Sequence, residues 1–99
     1  MRDEGLFQSA LSRPENLYFY GDPKPDISDM AAAYGFGISK NHPFNDGNKR
    51  TALIAIRLFL KLNGFDLTAT GPEKFTMIVE LASSHIDESD LSSWIRDRI

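Results

Sequence analysis

Hydrophobic residues recur along this chain at helical intervals, and no run alternates convincingly as a strand would. Over residues 3–12, Leu6, Phe7, Ala10 and Leu11 fall at the spacing of a short amphipathic helix, which Arg13-Pro14 is expected to stop. A connection over residues 13–26 follows, in which Leu17-Tyr18-Phe19-Tyr20 precedes Gly21-Asp22-Pro23-Lys24-Pro25; it should not be regular helix throughout. Asp26 or Ser28 can cap a second helix that runs to about Lys40, with Ile27, Met30, Ala31, Tyr34 and Ile38 on one face. Gly35 and Gly37 lower its helix propensity and allow close packing. A third helix, residues 48–62, is apolar almost all round, with Arg50, Arg57 and Lys61 on one strip, and is expected at the centre of the bundle. Asn63-Gly64 should end it in left-handed fashion. Pro72 suits the first turn of a fourth helix that turns Phe75, Ile78, Val79 and Ala82 inward, and a last helix, about 89–98, buries Leu91, Trp94 and Ile95. The fold class is therefore all-α, a compact helical bundle.

Composition narrows the setting. Ninety-nine residues, 41% hydrophobic and 25% charged, fit one small domain over residues 1–99, with burial just sufficient for autonomous folding. The absence of cysteine removes disulfides and Cys-based zinc sites and fits a reducing, cytoplasmic setting. Nothing resembles a signal peptide or a membrane span, because Arg57 and Lys61 interrupt the most apolar segment; a soluble protein is expected. A formal charge of -3 argues against a protein that coats nucleic acid, so Lys49-Arg50 reads as a local phosphate contact.

The densest chemistry lies in His42-Pro43-Phe44-Asn45-Asp46-Gly47-Asn48-Lys49-Arg50-Thr51. Asp46-Gly47-Asn48 is turn chemistry and feeds into the third helix, whose N-terminal N–H groups lack intrahelical acceptors and attract anions. Gly47 lets a phosphate approach the backbone, and Lys49 and Arg50 add full charges. His42 suits a general base and Asp46 a magnesium ligand. Each has a plainer reading: His42 as a residue just past a helix end, Asp46 as an N-cap, Phe44 as a core anchor, Lys49 and Arg50 as a solvated pair. Their occurrence together is much rarer than any one of them. His85, near Asp87, Glu88 and Asp90, reads as a surface turn, and zinc held by His42 and His85 would lack a third ligand at motif spacing. The aromatics Leu17, Tyr18, Phe19 and Tyr20 form either a loop packed on the core or a flap offering backbone to a partner peptide.

His42 through Thr51 resembles the signature loop of the Fic/Doc superfamily, and its Asn48-Lys49-Arg50-Thr51 ending resembles the death-on-curing (Doc) toxin branch of toxin-antitoxin pairs. The likeness extends to Arg2-Asp3-Glu4-Gly5-Leu6, Ser9-Ala10-Leu11, Arg13-Pro14, residues 31–41 and Leu58-Phe59-Leu60-Lys61-Leu62-Asn63-Gly64. The resemblance implies a bundle of the Fic/Doc type, with the signature loop between two core helices, a short flap, and ATP phosphates and Mg²⁺ over the second helix's N-terminus. Carried onto this chain, His42 would take the proton from a target hydroxyl and Asp46 would ligate Mg²⁺. Asn45, Gly47 and Asn48 would hold phosphates, Lys49 and Arg50 would neutralise transferring charge, and Leu17 to Tyr20 would be the flap.

Lys49 stands where AMP-transferring members have Gly, and Leu53 where they have a second arginine. Doc toxins are similar in both respects and phosphorylate elongation factor Tu on a threonine, so γ-phosphoryl transfer is expected over AMP transfer. A catalytically silent antitoxin-binding module is the alternative from a different class. A cognate antitoxin is the implied partner. Family members usually carry a further N-terminal helix, so this chain is expected to be short by one element: either it is truncated, or another chain covers the exposed apolar surface, for instance in a homodimer.

Overall fold

The structure, a computed structural model, describes residues 4–22, 24–41 and 47–99, without the side chains of Phe7, Ala10 and Arg13. The first helix, α1, spans Glu4–Tyr20 and contains Pro14, so the expectation that Arg13-Pro14 would stop it is corrected. A proline inside a helix loses one backbone bond and crowds the preceding turn. Here its ring is fully buried, and that packing offsets the loss. The aromatic run is therefore the last helical turn, and the connection expected over residues 13–26 shrinks to the segment after Tyr20. Gly21 closes the helix through its N–H to the Leu17 carbonyl at 2.9 Å. A Cβ at Gly21 would sit 2.5 Å from that same oxygen, so glycine is needed there for space.

Helix α2, Ile27–Asn41, starts with a reciprocal cap: the Asp29 N–H donates to the Asp26 carboxylate at 2.9 Å, and the Asp26 N–H to the Asp29 carboxylate at 3.0 Å. Ser28, Ala31, Ala32, Ala33, Gly35, Gly37, Ile38 and Ser39 are all buried. It packs on α1, on α3 (Asn48–Leu62), on α4 (Gly71–Ala82) and on α5 (Glu88–Arg96). The central helix is thus α2 and not α3, contrary to the sequence expectation. Small residues explain it, because a helix surrounded by neighbours has room only for short side chains. Gly35 is the extreme case: a Cβ there would lie 2.4 Å from Ile56 Cδ1.

On α3, Ala52, Ile56 and Leu60 face the core, and burying each large one contributes about 1.5–3 kcal/mol. Gly64, at φ 86°, ends α3, with the Gly64 N–H on the Lys61 carbonyl at 3.1 Å and the Phe65 N–H on the Leu60 carbonyl at 2.9 Å. Thr70 and Glu73 form a capping box on α4, and Asp87 and Asp90 form one on α5. Ile78 and Leu81 of α4 are buried, but Phe75 is exposed, which corrects its expected inward position. On α5, Leu91 and Ile95 are buried and Trp94 is half-buried, with the Arg98 guanidinium 4.5 Å from its ring centre.

Two ties fasten α5 to the rest. Arg96 bonds Asp26 at 2.8 Å and Asp29 at 3.1 Å, and Ser92 donates to Asp29. Thr68 pairs with the Arg98 carbonyl through its N–H at 2.8 Å and its hydroxyl at 2.7 Å. Among the described residues there are five helices and no strand, and no helix is long and apolar enough to cross a membrane.

One face is uncovered. Ile54, Leu58 and Leu62 of α3 are 53%, 55% and 77% exposed, at successive turns. They border an apolar groove of about 360 Å³ shared with Leu11, Tyr34 and Ile38.

Candidate active site between α2 and α3

The signature run begins directly after α2 ends at Asn41 and leads into α3 at Asn48. His42, Phe44, Asn45 and Asp46 lie outside the described residues, so the general-base, core-anchor, nucleotide and magnesium readings made for them rest on sequence. The two helix ends that flank them are described. Gly47 has φ 77° and ψ 18° and stands as the N-cap of α3, contributing no side-chain cap bond. A Cβ on Gly47 would meet nothing within 4 Å. The glycine is thus required by its left-handed backbone rather than by crowding at its Cβ position.

The first helical bond of α3 runs from the Thr51 N–H to the Gly47 carbonyl at 2.8 Å. The N–H groups of Asn48, Lys49 and Arg50 precede it and belong to the helix turn where the macrodipole is positive. Asn48 is half-buried, while Lys49 and Arg50 are exposed. Among the described residues, no ion pair uses either cation. Two exposed cations in the first turn of a helix can receive a multiply charged anion such as a polyphosphate. Leu53, one turn on from Arg50, is half-buried and offers no charge there.

On the α2 side, the Asn41 amide donates to the Leu6 carbonyl of α1 at 3.1 Å. Lys40, one residue earlier, donates to the Ser84 hydroxyl in the turn between α4 and α5. A cleft of about 500 Å³ opens between α1 and α2, lined by Asn16, Leu17, Tyr20, Gly37 and Asn41 and reaching Glu88. Leu17 and Tyr20 therefore line a cleft that reaches Asn41, the last residue before the signature run. Tyr18 and Phe19 are exposed outside it, their rings 5.2 Å apart edge to face.

His85 is exposed and bonds Glu80 at 2.9 Å, as a surface-turn residue would, and no group of three metal-ligating side chains occurs among the described residues. Sequence reasoning missed Lys40, Asn41, Ser84 and Glu88 as neighbours of the site. Ser84 and Glu88 lie far along the chain from Lys40 and Asn41, and no local motif marks them.

Comparison with known proteins identifies the family. The model of the Fic/DOC family matches residues 1–60, more than half of the chain. "Toxin Doc" of Mycolicibacterium smegmatis is 42% identical over 69 residues, covering 70% of this chain and 53% of that protein. "Protein kinase doc" of Escherichia phage P1 is 31% identical over 96 residues, covering 97% of this chain and 75% of that one. The chain thus spans about half the length of the mycobacterial relative. The matched range takes in residues 42–51 and most of α3. The chain belongs to the Fic/DOC family.

Proposed function

We propose that this protein is a Doc-type toxin that transfers the γ-phosphate of ATP to a hydroxyl of a translation protein, with elongation factor Tu as the expected target, and so arrests translation in the cytoplasm. The observation that carries the reading is the start of α3: a left-handed Gly47 at the N-cap, followed by two exposed cations in the first turn. These features fit a nucleotide's phosphates and the Mg²⁺ that accompanies them, with Asp46 as the metal ligand. Mg·ATP supplies the phosphoryl group and much of the charge neutralisation when bound. His42 accepts the proton of the target hydroxyl, Asn45, Gly47 and Asn48 hold phosphate oxygens, and Lys49 and Arg50 offset the charge that develops on transfer. His42 and Asp46 belong to the same ten-residue stretch of sequence, 42–51, as these groups, and positioning and electrostatics would provide most of the rate. Leu53 in place of a cation favours transfer of the γ-phosphate over AMP. Leu17, Tyr18, Phe19 and Tyr20 are proposed to contact the target beside the cleft.

The relative from phage P1 is named a protein kinase and the mycobacterial one a toxin, which supports both halves of this reading and implies a cognate antitoxin. Ile54, Leu58 and Leu62, flanked by the exposed cations Arg57 and Lys61, suit an apolar partner segment with acidic edges. A homodimer through the same stripe would bring like charges together and is less favoured.

In a cell-free translation extract, the purified chain should stop protein synthesis, and His42→Ala should be weaker by about 100-fold or more. Unimpeded translation with folded wild-type chain, together with no heat of Mg·ATP binding by calorimetry, would leave the silent antitoxin-binding module as the better reading.

A further inference from the structure

Two hydrogen bonds converge on the last two residues of α2, immediately before His42. Asn41 donates to the Leu6 carbonyl at 3.1 Å across the α1 interface, and Lys40 donates to the Ser84 hydroxyl in the turn between α4 and α5. Ser84 is itself unusual. It is the only described non-glycine residue at positive φ, 63°, in the region that side chains with a Cβ disfavour.

The local geometry explains the angle but not the residue. α4 ends in a Schellman motif: the His85 N–H reaches the Glu80 carbonyl at 3.0 Å, and the Ser84 N–H reaches the Leu81 carbonyl at 3.1 Å. Ser84 occupies the left-handed position after the cap, where glycine is strongly preferred. Among the described residues, the corresponding left-handed position after α3, Gly64, does carry glycine, as does the left-handed N-cap Gly47. A serine therefore costs backbone energy at this turn. What the side chain gains in return is the hydrogen bond from Lys40.

We propose that Lys40 with Ser84, and Asn41 with Leu6, are positioning pairs that fix the end of α2 and so the point from which the signature loop departs. The buried middle of α2 needs no such help, because Gly35 seats directly against Ile56. The end of the helix is different. Lys40 and Asn41 are half-buried, and the chain beyond them must hold a base at a defined place relative to the α3 N-terminus. Anchors on both sides, to α1 and to the α4–α5 turn, remove the hinge freedom that a helix end otherwise has. The inference concerns the site proposed above, but its primary readout does not depend on any transfer reaction.

The test uses Ser84→Gly, Ser84→Asn and Lys40→Met in the full chain, with ¹⁵N relaxation order parameters for residues 42 and 44–47 and a thermal melt of each. Glycine and asparagine both tolerate positive φ, but only asparagine keeps an acceptor for Lys40. Ser84→Gly should melt no lower than wild type, yet lower the order parameters at 42 and 44–47. Lys40→Met should do the same, the double variant no more than either single one, and Ser84→Asn should restore order. Where transfer is measurable, kcat should fall with KM nearly unchanged. Order parameters in this segment equal to wild type in both Ser84→Gly and Lys40→Met would overturn the proposal. So would a loss of order spread through the whole chain in step with the melting temperature. Lower order in a protein that transfers nothing would keep the anchor and reject the proposed activity.

Discussion

At Gly35, the absence of a side chain sets how closely α2 and α3 approach. Any Cβ there would meet Ile56 Cδ1 at 2.4 Å and Cγ1 at 2.8 Å, so the isoleucine would have to change rotamer in a filled core. Gly35→Ala should destabilise the fold by about 1–3 kcal/mol despite its better helix propensity, measured as a lower denaturation midpoint. Asp26 carries a second residue-scale effect. The Arg96 guanidinium bonded to it holds its carboxyl down to about 2 from 3.8, against an opposing push from burial. A carboxylate depressed in the folded state contributes stability above its unfolded value and loses it as pH falls through the folded one. The pair is about half exposed, so solvent screening limits the contribution to about 1 kcal/mol or less. Asp26→Asn should therefore flatten the acid limb of a stability-versus-pH curve between about pH 4 and 2 and lower the plateau above it; an unchanged limb would count against the pairing. Of these residues, Gly47 was legible because Asp-Gly-Asn is a turn signature in its own right. Gly35 was legible only as a close approach. Ser84 left no trace, because its angle and its partner are set by residues far away in sequence.

Helix boundaries followed the sequence wherever a local cap fixed them. α3 runs Asn48–Leu62 as expected, between a Gly turn and Asn63-Gly64. α4 and α5 begin at capping boxes, and Thr70→Ala should cost about 1 kcal/mol by removing the acceptor for the Glu73 N–H, visible as an earlier unfolding transition. Glu73 gives a parallel signature: its bonds from the Thr70 backbone and hydroxyl hold its carboxyl below the usual range, a shift that Thr70→Ala should reduce in an NMR titration. The two misreadings at this scale share a cause. Pro14 was read as a stop because proline is a poor helix residue in isolation, whereas burial of its ring lets α1 continue to Tyr20. α3 was placed at the centre because it has the most large apolar residues. The centre instead takes α2, whose alanines, serines and glycines leave room for neighbours on every side.

For the molecule as a whole, the stripe of Ile54, Leu58 and Leu62 on α3 is exposed apolar surface. Leu58→Glu should change the stability of the isolated chain by no more than about 0.5 kcal/mol, since the residue is exposed, but should weaken binding of a cognate antitoxin at least tenfold, as read by calorimetry. An antitoxin that bound the variant equally well would place its contact elsewhere. The all-α architecture and the family were both legible from pattern and motif. The internal arrangement of the site was not, since the cleft draws on α1, α2 and α5, and only folding brings Glu88 near Asn41. The central claim is γ-phosphoryl transfer governed by His42. Its most direct test is incubation of the chain with Mg²⁺, elongation factor Tu and ATP labelled at either the α- or the γ-phosphate, with His42→Ala alongside. The account predicts γ-label on elongation factor Tu, no α-label, and loss of both signal and turnover in the variant; α-label on protein, or γ-transfer undiminished in His42→Ala, would contradict it.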